Sequence, residues 1–86
     1  MPRVWVTSTT YDLVVQTIVA LRRERGISQR DLAERLGKPR SFVSKFETKE
    51  RRLDVVEFVA IARALETPPQ VLFESILAQL PESFAV

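Results

Sequence analysis

The 86 residues contain no cysteine and no histidine. The first absence excludes disulfides and thiolate metal sites. The second removes the commonest general base and the commonest metal ligand together. Only two glycines occur, Gly26 and Gly37, so there is no glycine-rich loop to cradle a phosphate. An enzyme is a poor reading of such a chain, and neither a cofactor nor a metal is expected. No apolar run approaches the roughly 18 residues of a membrane span. The first residues also lack the charged-then-apolar pattern of a secretion signal. The expectation is a cytoplasmic protein with no membrane partner.

What is present is an ordinary apolar content, 45%, in a length that suits one domain. A domain of this size removes only about 60% of its unfolded surface from water, so its core must be efficient. The net charge of +2 conceals a strong polarisation. Between Arg22 and Arg52 stand eleven basic residues and five acids, a segment of +6; the remainder has two bases and six acids. A cationic middle of this kind attracts phosphate backbones, although a solvated, ion-paired helical surface has the same composition.

The patterning is all-α, five short helices with short connections. Residues 1–8 form an N-terminal arm whose Val4-Trp5-Val6-Thr7 run is β-prone but too short to stand alone. Residues 9–80 are the domain proper, and 81–86 a tail. Thr9 or Thr10 caps helix 1, which runs to about Arg25 with Val14, Ile18 and Leu21 in one stripe and Gly26 as its stop. Ser28 caps helix 2, with Asp31 three residues on as in a capping box. Leu32, Ala33 and Leu36 are its inner face, and Gly37 ends it. Pro39 suits the start of helix 3, roughly Arg40 to Glu47. Helix 4 follows from an Asp54 cap to Leu65, apolar at Val55, Val56, Phe58, Val59, Ile61, Ala62 and Leu65. Helix 5 spans about Pro69 to Leu80.

The informative stretch is Gln29 to Phe46. Two helices of about eight residues joined by Gly37-Lys38-Pro39 must cross steeply, as in a helix-turn-helix unit. Small Ala33 permits close approach, Gly37 permits the turn, and Val43 plugs helix 3 into the core. Val43 and Phe46 face inward. Arg40, Ser41, Ser44 and Lys45 share the opposite side, and cations and small hydroxyls of this kind can bond base edges in a major groove. Phe42 either completes the core, the favoured reading, or sits at the groove edge near a thymine methyl.

At this point LRRERGISQRDLAERLGKPRSFVSKFE, ending at Glu47, together with RRLDVVEFVAIARAL (Arg51 to Leu65), resembles the Cro and phage-repressor class of helix-turn-helix domains, the xenobiotic-response-element (XRE) class. The resemblance implies a five-helix repressor-like fold, base contacts from Arg40, Ser41, Ser44 and Lys45, and a phosphate contact from Gln29 at a helix N-terminus. It also implies a salt bridge between Arg22 and Glu47 that sets the angle of helix 3. Arg30, Lys38, Lys49, Arg51 and Arg52 are looser candidates for phosphate contacts. Two positions depart from the class: Lys49 and Glu66 stand where glycine is usual. A positive φ there would be strained by roughly 1 kcal/mol, so a different local backbone path is expected.

The function so implied is a sequence-specific regulator of transcription, a repressor reading a palindromic operator in double-stranded DNA as a homodimer. The dimer expectation has its own motive, apolar surface that five helices cannot all hide. Its candidate contacts are Val71, Ile76, Leu80 and Phe84, with the Trp5 arm second, as a strand across the two-fold axis. The competing reading is an antitoxin or anti-repressor module whose main partner is another protein, a toxin or another regulator, held by helix 5, the tail or the arm.

Overall fold

The computed structural model describes residues 9–84 and divides them into α1 (Thr9–Glu24), α2 (Gln29–Leu36), α3 (Arg40–Glu47), α4 (Val55–Ala64) and α5 (Pro69–Gln79), with no strand among the described residues. The expectations for a strand-like arm at residues 1–8, Trp5 included, lie outside the described residues.

Local chemistry sets these boundaries. Ser28 caps α2, its hydroxyl accepting from the Asp31 N–H at 3.0 Å. The full capping box is on α4 rather than α2. There the Asp54 carboxylate accepts from the Glu57 N–H at 2.7 Å, and Glu57 accepts from the Asp54 N–H at 2.9 Å. The helix ends share one device. The N–H groups of Gly26 and Ile27 return to Arg23 and Arg22, those of Gly37 and Lys38 to Glu34 and Ala33, those of Lys49 and Glu50 to Phe46 and Lys45, and those of Glu66 and Thr67 to Arg63 and Ala62. Each is the paired bonding of a Schellman stop, with its first residue in the left-handed region. Lys49 and Glu66 have φ of 66° and 58°, as close to glycine geometry as Gly26 at 70° and Gly37 at 67°. The path is thus the glycine path with a side chain on it, which corrects the expectation of a different local course.

One core unites the helices: Ile18, Ile27, Leu32, Ala33, Val43, Phe46, Ile61, Ala62, Leu65, Leu72 and Ile76. The inward faces of α2 and α3 are the expected ones, with Ala33 buried at the crossing and Val43 fully enclosed. Elsewhere the patterning misleads. Val15, outside the expected stripe of α1, is buried, and Val14 and Leu21 only flank the core. Val55 and Val56 are 78% and 77% exposed. They occupy the first turn of α4, where the chain enters from the Leu53 side, and the core takes the face carrying Ile61, Ala62 and Leu65. Ile76, expected at a dimer contact, is 4% exposed. It lies with Leu72 one turn earlier on the inner face of α5, so it belongs to the core and is withdrawn as a surface contact.

Candidate nucleic-acid interface

The turn from α2 to α3 is three residues, and it works because Gly37 reverses the chain while Pro39, with extended backbone, starts α3 without a side-chain cap. Buried Val43 and Phe46 then anchor α3 by one side. The other side carries Arg40, Ser41 and Lys45, all exposed, and the half-buried Ser44, whose hydroxyl donates to the Ser41 carbonyl at 3.2 Å. Eight residues at 1.5 Å each make α3 about 12 Å long, the width of a major groove.

A buried network behind α3 fixes its far end. Arg22, on α1, donates from Nε to Glu47 Oε2 at 2.7 Å and from Nη2 to Oε1 at 3.0 Å, while its Nη1 donates to the Ile27 carbonyl at 2.8 Å. Both side chains are below 10% exposed. Gln29 adds a third bond to the carboxylate, Nε2 to Oε1 at 2.8 Å. The expected Arg22–Glu47 pair is therefore present and bidentate, and it ties α1, the start of α2 and the end of α3 together. Gln29 is joined to the same carboxylate, a partner that its sequence position alone does not assign to it.

The cations of the middle segment fall into two groups. Arg30, Arg40 and Lys45 are exposed and make no ion pair or hydrogen bond to the described residues, so their charge is available to an outside anion. Lys49 instead donates to Asp12 on α1. Arg51 forms a bidentate pair with Glu57, Nη1 to Oε1 at 2.8 Å and Nη2 to Oε2 at 2.6 Å. Its guanidinium also lies 4.8 Å from the centre of the Phe42 ring, with Lys38 Nζ 5.7 Å from the same ring. Arg52 stacks on Tyr11 at 4.4 Å.

Phe42 packs edge-on against Phe46 at 5.9 Å and is half-buried. It packs on the core, the favoured of the two readings, and its face lies beneath the two cations. Glu57 was not foreseen. The Arg51 hydrogen bond, the largest influence on it, holds its carboxyl below the ordinary range, helped by the Asp54 N–H and opposed by partial burial. Its position three residues after Asp54 in a D-x-x-E pattern was the available signal. Asp12 and Tyr11 were also missed as partners of the loop after α3. The Tyr11 hydroxyl accepts from the Leu53 N–H at 3.1 Å, and burial, outweighing that bond and the nearby arginines, pushes its pKa above the ordinary phenol value.

The helix-turn-helix family model matches residues 18–72. Among solved structures the chain is similar to an XRE-family-like protein from Pseudomonas syringae pv. tomato str. DC3000, with 43% identity and a TM-score of 0.78 over 84% of this chain and 88% of that one. It is similar to a point mutant of the restriction-modification controller protein C.Esp1396I at 30% identity and a TM-score of 0.77, over 84% of this chain and 91% of that one. The clp gene regulator ClgR from C. glutamicum shares the fold at 14% identity and a TM-score of 0.73, over 86% of this chain and 96% of that one. No curated protein sequence matches the chain. With the family match covering more than half the residues, and α2, the Gly37 turn and α3 in the arrangement described, the chain belongs to the Cro/C1-type (XRE) family of helix-turn-helix DNA-binding regulators.

Proposed function

We propose that this protein is a sequence-specific repressor of transcription that reads a palindromic operator as a homodimer, with α3 in the major groove. The observation that carries the reading is the outer face of α3. Arg40, Ser41 and Lys45 are exposed, and the two cations are free of internal ion pairs, while Val43 and Phe46 lock the opposite face into the core. A helix held rigidly on one side, with unpaired donors on the other, is suited to bonding base edges. Arg40, Ser41, Ser44 and Lys45 are the base-contacting set. Arg30 and Lys38, both exposed, are phosphate contacts in this reading. Gln29, Lys49, Arg51 and Arg52 reach phosphate only through side chains already bonded or stacked inside the fold. Their first contribution is to hold the frame.

Selection of bound sites from random duplexes tests the proposal. The recovered sequence should be two-fold symmetric. Log affinity for it should fall with log salt at about −0.9 per phosphate contacted. Arg40→Ala should weaken the best site by about 1–3 kcal/mol and relax preference at one base pair per half-site. Binding indifferent to salt, or no enrichment of any duplex, would contradict it.

A further inference from the structure

Between α1, α4 and α5, away from the outer face of α3, lies an open groove of about 480 Å³. Its walls are apolar: Tyr11 and Val14 from α1, Val55 and Phe58 from α4, Phe73 and Leu80 from α5. Asp54 is the one charged residue among those lining it. Phe58 and Phe73 stand edge to face there, 6.5 Å between ring centres, and Phe73 is 53% exposed. Apolar walls gathered into one concave groove suit an apolar, aromatic occupant.

We propose that the groove receives the chain's own N-terminal segment, with Trp5 set against Phe58 and Phe73 and Arg3 paired with Asp54. Three observations single out this occupant. The first is proximity. The described chain begins at Thr9, two residues before Tyr11, which is itself a wall of the groove, so the segment joins α1 within one turn of the rim. Four residues of extended chain give Trp5 a reach of about 13–14 Å from Thr9. The second is chemistry. Val4-Trp5-Val6 is the only apolar run in residues 1–8, and its indole offers up to about 250 Å² of surface for burial. A third aromatic ring fits the edge-to-face preference of the two already present. The third is charge. Arg3 is one of only two basic residues outside the Arg22–Arg52 segment, and it directly precedes the apolar run that would enter beside the lone carboxylate.

Trp5 is the only tryptophan, so its fluorescence reports this site alone. The experiment follows the full chain by emission and acrylamide quenching over a dilution series, with sedimentation at each concentration. The expected result is emission to the blue of free indole and quenching several-fold weaker than for free tryptophan, equal in monomer and dimer. Trp5→Ser, outside the described fold, should take up an apolar dye such as anilinonaphthalene sulfonate several-fold more than the parent chain. Val55→Arg, at an exposed groove position, should return the emission to that of solvated indole by repelling Arg3. Solvent-like emission in the parent chain overturns the proposal. Protection that appears only as the chain associates also overturns it, because a second copy is then the occupant. So does protection that survives Val55→Arg, which places Trp5 elsewhere. None of these outcomes bears on operator binding by α3.

Discussion

Glu47 shows how a single side chain can fix the end of a helix. It is the last residue of α3, and it accepts two bonds from Arg22 and one from Gln29 with almost no exposure to water. A surface pair would contribute little, but a buried carboxylate with three donors leaves each of them stranded when it is lost. Removing one partner of such a pair costs about 3–5 kcal/mol. Glu47→Gln keeps the shape and should fall at the low end of that range, a drop in Tm on the order of 12–24 °C for a domain of this size. Glu50→Gln is the control, since exposed Glu50 accepts only one 3.2 Å bond from the Thr48 hydroxyl. Thermal melts of the two variants decide the matter, and equal midpoints would show that the bridge does not stabilise the fold. Glu57 permits a test by pH. Its carboxyl is held low, first by the Arg51 bond, so the folded chain takes up that proton at lower pH than the unfolded chain does. The resulting stabilisation is complete above the unfolded value of about 4.3 and is lost as pH falls through the folded value. The stability difference between the parent chain and Glu57→Gln should therefore be larger at about pH 6 than at about pH 3 in urea titrations. A gap that widens in acid would show that Arg51 does not hold the carboxylate.

At the level of the helices, four consecutive elements end in the same left-handed stop, two on glycine and two on Lys49 and Glu66. Each non-glycine residue there carries strain of roughly 1–2 kcal/mol. Lys49 recovers part of it through Asp12 and Glu66 through Arg35 at 3.2 Å, but the second pair is exposed, with the Glu66 side chain 70% accessible. Glu66→Gly should raise stability by about 0.5–1 kcal/mol once the added freedom of the unfolded chain is counted, whereas Lys49→Gly should gain less because it gives up the Asp12 bridge. Chemical denaturation of both variants checks the order, and destabilisation by Glu66→Gly would refute the strain argument. The same elements show what the sequence could disclose. Helix ends were legible because caps and stops are local: Ser28, Gly26, Gly37, Pro39 and Asp54 all act where they were expected. The faces of α2 and α3 were legible because each has few apolar residues at decisive spacing. The face of α4 was not, since seven apolar residues in one short helix and its end define no unique stripe, and packing against α2 and α5 left Val55 and Val56 outside. Ile76 was misplaced for the same reason. The Arg22–Glu47 bridge was reached through family resemblance. The pairs Arg51–Glu57 and Lys49–Asp12 depend on how a loop folds back and left no short-range signal, apart from the D-x-x-E of the α4 cap.

For the whole molecule, the question is how a single short recognition helix becomes selective. In the proposed complex one α3 would touch too few base pairs, and pairing two copies would supply the rest. The described residues span 34 × 31 × 21 Å. Two such bodies placed side by side about a two-fold axis have their centres about one domain width apart, a scale that suits half-sites 34–36 Å apart. In the proposed dimer the pairing surface is on α5 and the short tail beyond Pro81. Leu77 on α5 is 51% exposed, Val71 is 49% exposed, and Phe84 after the Pro81 break is 44% exposed. Leu80 is only half-buried at the edge of the core. This surface adjoins the inner face of Leu72 and Ile76 without being part of it, so it can be altered while the core is left intact. Leu77→Glu is the decisive variant. Half of Leu77 already meets water, so the melting midpoint at dilution should stay within the change expected of a surface substitution, about 0.5 kcal/mol. In the dimer the same change buries a carboxylate against its own symmetry mate. Sedimentation at micromolar concentration should then give a dimer for the parent chain and a monomer for the variant. Losing the second recognition helix should weaken binding to the full palindrome by about 10²–10⁴-fold, while affinity for an isolated half-site stays the same. A parent chain that remains monomeric both free and on its selected site, or a Leu77→Glu chain that still pairs, would place the two-fold axis elsewhere or remove it.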